Sequence, residues 1–151
     1  MLLSELLTPE RVRIPLLAND KQGVLRELTR FLVDLSGGDY GDILAAVQER
    51  EGVLSTGIGF GIAIPHAKSP TINQLSLVSG VSAEPIPFDA IDGEPVRLFF
   101  LLVGPEAAAG SHVKALSRIA RLARRETVRE ALIKAEDAKA YYDVIVDAEG
   151  R

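Results

Sequence analysis

The sequence contains no cysteine, which excludes disulfides, thiolate metal sites and a cysteine nucleophile together. Histidine is nearly as scarce, with only two copies, His66 and His112. Because imidazole carries so much acid–base, metal and phosphoryl chemistry near neutral pH, these two are the first candidate functional residues. Long apolar runs are missing: the greasiest stretch, 96–103, is eight residues with Arg97 inside it, far short of the roughly 18 to 20 that cross a bilayer. The N-terminal MLLSELLTPERVR has Ser4, Glu5 and Thr8 among its leucines and no basic segment ahead of them, so it does not read as a signal peptide. An excess of positive charge is missing too. With a net charge of −4 and a pI near 5.2, the chain has no overall field for a phosphate backbone, and nucleic acid would need a local basic patch. These absences leave the expectation of a cytoplasmic protein with no membrane insertion and no nucleic-acid partner.

What is present is an ordinary globular composition, 47% hydrophobic and 25% charged over 151 residues, enough for a single domain over 1–151 with its own core. Asp20 can cap a helix whose face is Val24, Leu25, Leu28, Phe31, Leu32 and Leu35, stopped by Gly37-Gly38. Asp39 restarts the pattern with Ile43, Leu44 and Val47 inward, and the polar end Gln48-Glu49-Arg50-Glu51 delivers Arg50 at the helix C-terminus. From Ser55 the chain reads as a glycine-rich turn feeding a short strand that ends at Pro65. Residues 75–83 alternate (Leu75, Leu77, Ser79, Val81), whereas 96–103 is continuously apolar, as a central strand covered on both faces would be. Three helices follow Gly104-Pro105. Ser111 is the expected cap of the first, with Val113, Leu116, Ile119, Ala120 and Ala123 as its apolar stripe; Thr127 and Glu130 make a capping box for the second; Tyr141, Tyr142, Val144 and Ile145 mark the third. Strands in the middle with helices before and after predict one mixed α/β domain.

His66 follows Pro65, whose ring fixes φ, so the backbone entering the histidine is stiff. Gly57, Gly59 and Gly61 upstream could bring bare N–H groups close to an anion. The same glycines could simply form a tight turn beside an exposed loop histidine, and both readings stand on the residues alone. Their G-x-G-x-G spacing, leading into a strand, does not match a dinucleotide or ATP loop. His112 falls in the first turn of a predicted helix, where a solvated histidine is the plain expectation and the helix terminus lowers its proton affinity. The two histidines lack the spacing or nearby carboxylates of a familiar metal site. Arg118, Arg121, Arg124, Arg125 and Arg129 form a basic stripe, either a solvated face or a docking surface for an acidic or phosphorylated partner.

Arg50-Glu51, STGIG over 55–59, GIAIPH over 61–66 and FDAIDGEPV over 88–96 together resemble the enzyme IIA domains of the mannitol/fructose class of the phosphoenolpyruvate-dependent phosphotransferase system, including their nitrogen-regulatory branch. The resemblance runs from about residue 1 to about residue 148 and continues through Ser111-His112-Val113 and Leu116-Ser117. It implies a single domain with a mixed parallel and antiparallel sheet flanked by helices on both sides. It also implies a phosphocarrier: His66 accepts a phosphoryl group through Nε2 from phospho-HPr or a nitrogen-branch equivalent. The group then passes to a separate IIB protein or serves as a regulatory signal. Arg50 and His112 match the family's site residues, with Thr56, Gly57, Gly59 and Gly61 as expected phosphate-binding groups, and neither a metal nor another cofactor is implied. A purely regulatory module, whose partner affinity is toggled by phosphorylation of His66, shares that chemistry. Phe60 departs from the polar residue, often Asn, that the family carries there.

Overall fold

A continuous apolar strand can be buried only if both of its faces are covered. In the computed structural model, which describes residues 1–150, the run at 96–103 occupies the middle of the sheet. In chain order the elements are α1 (Leu3–Leu6), β1 (Val12–Leu16), α2 (Lys21–Ser36), α3 (Tyr40–Val53), β2 (Gly57–Gly59), β3 (Ile62–Ala63), β4 (His66–Lys68), β5 (Ser76–Ile86), β6 (Val96–Gly104), α4 (Ala109–Ala123), α5 (Glu126–Lys134) and α6 (Ala138–Glu149). The strands form one six-stranded sheet in the order β1-β5-β6-β3-β2, with β4 also on β6. β1 is parallel to β5, and β3 and β4 are parallel to β6; the β5–β6 and β2–β3 pairs are antiparallel. The expected mixed sheet is therefore found, with helices on both sides.

Side chains alternate across β6. Leu98, Phe100 and Leu102 pack with Ile119, Leu132, Tyr141 and Ile145 of α4, α5 and α6. Phe99, Leu101 and Val103 pack with Leu25, Leu28, Ile43 and Val47 of α2 and α3. The alternation at Leu77, Ser79 and Val81 is real, but β5 is covered on its other face too, and every residue from 76 to 82 is buried. Ser79 tolerates this because its hydroxyl bonds the carbonyl of Phe99 at 2.8 Å and the Tyr141 hydroxyl at 2.5 Å.

The helix starts at Asp20 and Asp39 are as expected: each carboxylate accepts the N–H three residues on, from Gly23 at 2.7 Å and Asp42 at 2.8 Å. Gly37, with φ +80°, ends α2. The later caps differ. A 3-10 turn at Glu106–Ala108 runs straight into α4, so Ser111 lies inside the helix and caps nothing. Between α4 and α5 stand only Arg124 and Arg125, whose N–H groups bond carbonyls at the end of α4. Thr127 is thus already helical, and the Thr127–Glu130 capping box does not form. The edge strand β1, with Pro15 inside it, and the short α1 carry no periodic signal in the sequence.

The strand expected to end at Pro65 does not end there. β2 and β3 make a hairpin turned at Phe60-Gly61, and the pairing with β6 keeps one register on both sides of Ile64-Pro65: Ile62 opposes Leu98, Ala63 opposes Phe99 and His66 opposes Leu102. His66 therefore sits on a strand neighbouring the central one, towards the end of β6 that leads to α4.

Candidate functional site

His66 is half-buried, and its Nδ1 lies 2.8 Å from the carbonyl oxygen of Ile64. A carbonyl only accepts, so the hydrogen is on Nδ1 and the lone pair on Nε2. Burial pulls the proton affinity of the ring below its ordinary value of 6.5; the Ile64 carbonyl opposes this, Arg50 adds to it, and Glu51 opposes it. The ring is neutral at pH 7, with one defined nucleophilic nitrogen.

His112 is not the solvated first-turn residue that its position suggested: it is 3% exposed. The turn leading out of β6 aims this residue of α4 inward, where its ring meets His66 edge-on at 5.7 Å between centroids. Burial, and then the neighbouring His66 and Lys68, lower its pKa to about 4. Its Nδ1 is buried without a hydrogen-bond partner. A bare lone pair is tolerated more readily than a bare N–H, so the hydrogen belongs on Nε2, making that atom a donor.

Two concavities meet at His66. One, of about 580 Å³, includes Arg50, Thr56, Ile64, Leu116 and Arg124 in its walls; the other, of about 520 Å³, includes Arg50, Lys68, His112 and Val113. Arg50 comes from the last turn of α3, and one of its nitrogens, Nη1, donates to the Leu54 carbonyl at 2.7 Å. That tether leaves the other guanidinium donors for an anion. The structure thus brings together His66, His112 and Arg50, which lie far apart in sequence.

The other expected phosphate ligands are used differently. Thr56 lines the cleft, but its N–H donates to Glu51 Oε2 at 2.9 Å and its hydroxyl to Glu51 Oε1 at 2.5 Å. Its hydrogens are taken. Gly57 also lines the cleft, yet its N–H bonds the Ser55 hydroxyl at 3.1 Å. Gly59 and Gly61, at φ +94° and +75°, are outside the cleft walls and build the hairpin turn.

Glu51 is the residue that the pattern concealed. The sequence marks it only as part of a polar helix end, whereas it is 5% exposed and lies 3.1 Å from the Lys21 ammonium. Val113, expected inside, is 65% exposed and forms an apolar rim with Val53, Leu54 and Ile91. Of the arginine stripe, Arg118 pairs with Glu149 at 3.6 Å, Arg125 bonds the Ala148 carbonyl, and Arg129 covers the Phe60 ring at 5.2 Å. Arg121 and Arg124 are exposed, and Arg124 is on the cleft wall. Among the described residues no group of three or more His, Cys, Asp or Glu side chains could hold a metal ion, and no helix is long and apolar enough to cross a membrane.

Residues 5–148 match the family model described as phosphoenolpyruvate-dependent sugar phosphotransferase system, EIIA 2. The chain is 37% identical over 145 residues to a nitrogen regulatory protein of Bradyrhizobium diazoefficiens, covering 96% of this chain and 95% of that one. It is 39% identical over 128 residues to a fructose-specific EIIA component of Haloferax volcanii, covering 84% and 83%. Its fold superposes on the crystal structure of nitrogen regulatory protein IIA-Ntr from Neisseria meningitidis with a TM-score of 0.89 at 30% identity, covering 95% of this chain and 98% of that one.

Proposed function

Since this chain belongs to the EIIA 2 family of the phosphoenolpyruvate-dependent sugar phosphotransferase system, we propose that it is a phosphocarrier whose acceptor is His66. The observation that carries the reading is the hydrogen bond from His66 Nδ1 to the Ile64 carbonyl, which leaves the Nε2 lone pair as the nucleophile. The donor is the phosphohistidine of HPr or of a nitrogen-branch equivalent. As Nε2 bonds to phosphorus, the phosphorus–nitrogen bond of the donor breaks and its electron pair returns to the donor ring. His66 keeps its Nδ1 hydrogen throughout, and the Ile64 carbonyl stabilises the positive charge that develops on the imidazole. Such a transfer asks the protein for position and charge stabilisation rather than for covalent help. Arg50 supplies a cation to the equatorial oxygens, and His112 donates from Nε2. The phosphoramidate stays reactive enough to hand the group on.

Two destinations use this chemistry. Transfer to a separate IIB protein would feed sugar uptake. In the regulatory alternative the phosphoryl group adds about 1.5 to 2 negative charges beside the apolar rim and thereby changes which partner binds. Near-complete mutual coverage with a nitrogen regulatory relative favours the regulatory branch.

The test is incubation with phosphoenolpyruvate, enzyme I and HPr, followed by intact-mass measurement. An adduct of one phosphoryl group, labile in acid and stable in alkali, is expected on the wild type and absent from His66→Ala. Label on His66→Ala would reassign the acceptor, and no label on the wild type would end the reading.

A further inference from the structure

The buried carboxylate of Glu51 is joined to His66 through hydrogen bonds linked by the backbone of Thr56 and of Ile64. Lys21 Nζ lies 3.1 Å from Glu51 Oε2. Glu51 accepts both the N–H and the hydroxyl of Thr56, at 2.9 and 2.5 Å. The carbonyl of Thr56 accepts the Ile64 N–H at 3.0 Å, and the carbonyl of Ile64 accepts the His66 Nδ1 hydrogen at 2.8 Å. Four segments are tied by these bonds: the start of α2, the end of α3, the loop leading into β2, and the Ile64-Pro65 step between β3 and β4.

We infer that Glu51 is a positioning residue, which holds His66 in its Nδ1–H form and fixes the direction of its ring by clamping Thr56 and, through it, Ile64. The inference rests on the reading of His66 as phosphoryl acceptor. A buried carboxylate is costly unless it is paired and its lone pairs are used, and here the three donors from Lys21 and Thr56 meet that cost. Without the clamp, Thr56 loses two bonds, and the Ile64 carbonyl loses one of the supports that hold it beside the pairing with β6. The imidazole is then free to exchange tautomers or turn its Nε2 away from the cleft. Glu51 also acts through space, since its negative charge raises the proton affinity that burial and Arg50 depress.

The decisive comparison sets the wild type against Glu51→Gln and the double variant Lys21→Met/Glu51→Ala, which removes both charges and so strands neither. The nitrogen-15 shifts of the His66 ring report the tautomer, and single-turnover phosphorylation by phospho-HPr reports function. The wild type is expected to show the Nδ1–H form. The double variant should show mixed tautomers and a kcat lower by about 10- to 100-fold, the size of effect seen when a residue that orients a histidine metal ligand is lost, with KM for HPr unchanged. Glu51→Gln, which keeps the shape, should retain the tautomer while its His66 titration midpoint falls and its kcat drops less. A folded double variant with the wild-type tautomer and kcat would overturn the proposal. Should that variant not fold, Glu51→Gln decides alone, and an unchanged midpoint with unchanged kcat would overturn it. If the tautomer shifts as expected but the wild type takes no phosphoryl group, the clamp stands and the phosphocarrier reading falls.

Discussion

A histidine ring offers two nitrogens, and the nitrogen that attacks is set by what the other one bonds. For His66 the Ile64 carbonyl makes that choice; for His112 the unpartnered Nδ1 makes the opposite one, so the pair presents a nucleophile beside a donor. Replacing Arg50 by Ala or His112 by Gln is expected to slow phosphoryl uptake about 100- to 1000-fold, the loss of roughly 3–4 kcal/mol that follows removal of one charge-stabilising donor. The folded fraction measured by circular dichroism should remain normal in both. Transfer at wild-type rates would remove either residue from the site. The buried imidazole also leaves a thermal signature. Its pKa is about 4 in the fold against 6.5 ordinarily, so between those values the unfolded chain binds more protons than the folded one, and stability rises with pH. The melting temperature should therefore fall as the pH is lowered through that window, and His112→Gln should flatten the slope.

Elements place these residues through their ends. The β2–β3 hairpin turns on Phe60, an aromatic at φ +60° that is 57% exposed. Its N–H donates to Asp92 Oδ2 at 3.1 Å; the Glu94 N–H, and then this bond, hold the Asp92 carboxyl below the usual range. Asn occupies left-handed backbone more easily than Phe, whose Cβ strain there is about 1–2 kcal/mol. Phe60→Asn is thus expected to keep or raise the melting temperature despite losing the Arg129 contact. If the exposed ring contacts the carrier, the same variant should raise KM for HPr while leaving kcat alone. The late helices show how a correct residue type can be given the wrong task. Asp137 caps α6 by accepting the Ala140 N–H at 2.8 Å, whereas Ser111 caps nothing. Urea denaturation should therefore find Asp137→Ala less stable by about 1 kcal/mol and Ser111→Ala within roughly 0.5 kcal/mol of wild type.

Taken as a whole, the molecule is a sheet between two cores, with β6 contributing alternate residues to each. Charge is divided less evenly: residues 111–134 carry seven Lys and Arg against two Glu in a chain of net charge −4. That basic side adjoins the His66 cleft through Arg124, where it would meet acidic or phosphorylated groups on a partner. Electrostatic steering acts on encounter and fades with ionic strength. With such a partner, Arg121→Glu/Arg124→Glu should slow second-order phosphoryl transfer by about tenfold at low salt, with the difference closing at high salt. A salt-independent difference would point to a contact other than steering.

The central strand and the helices starting at Asp20 and Asp39 are readable in the sequence because local periodicity and capping chemistry determine them. The glycine-rich string ending in His66, with the resemblance it carries, likewise singles out His66 as the acceptor proposed above. Tertiary structure alone decides the rest. Whether His112 is solvated, whether Glu51 trails into water or clamps Thr56, and whether Gly59 and Gly61 face an anion or turn a hairpin all depend on which segments the sheet brings together. β4 runs beside β6, and β6 leads directly into α4, so the two histidines share a site although 46 positions separate them in the sequence. Burial is a property of that assembly, and burial is the largest cause of their lowered proton affinities.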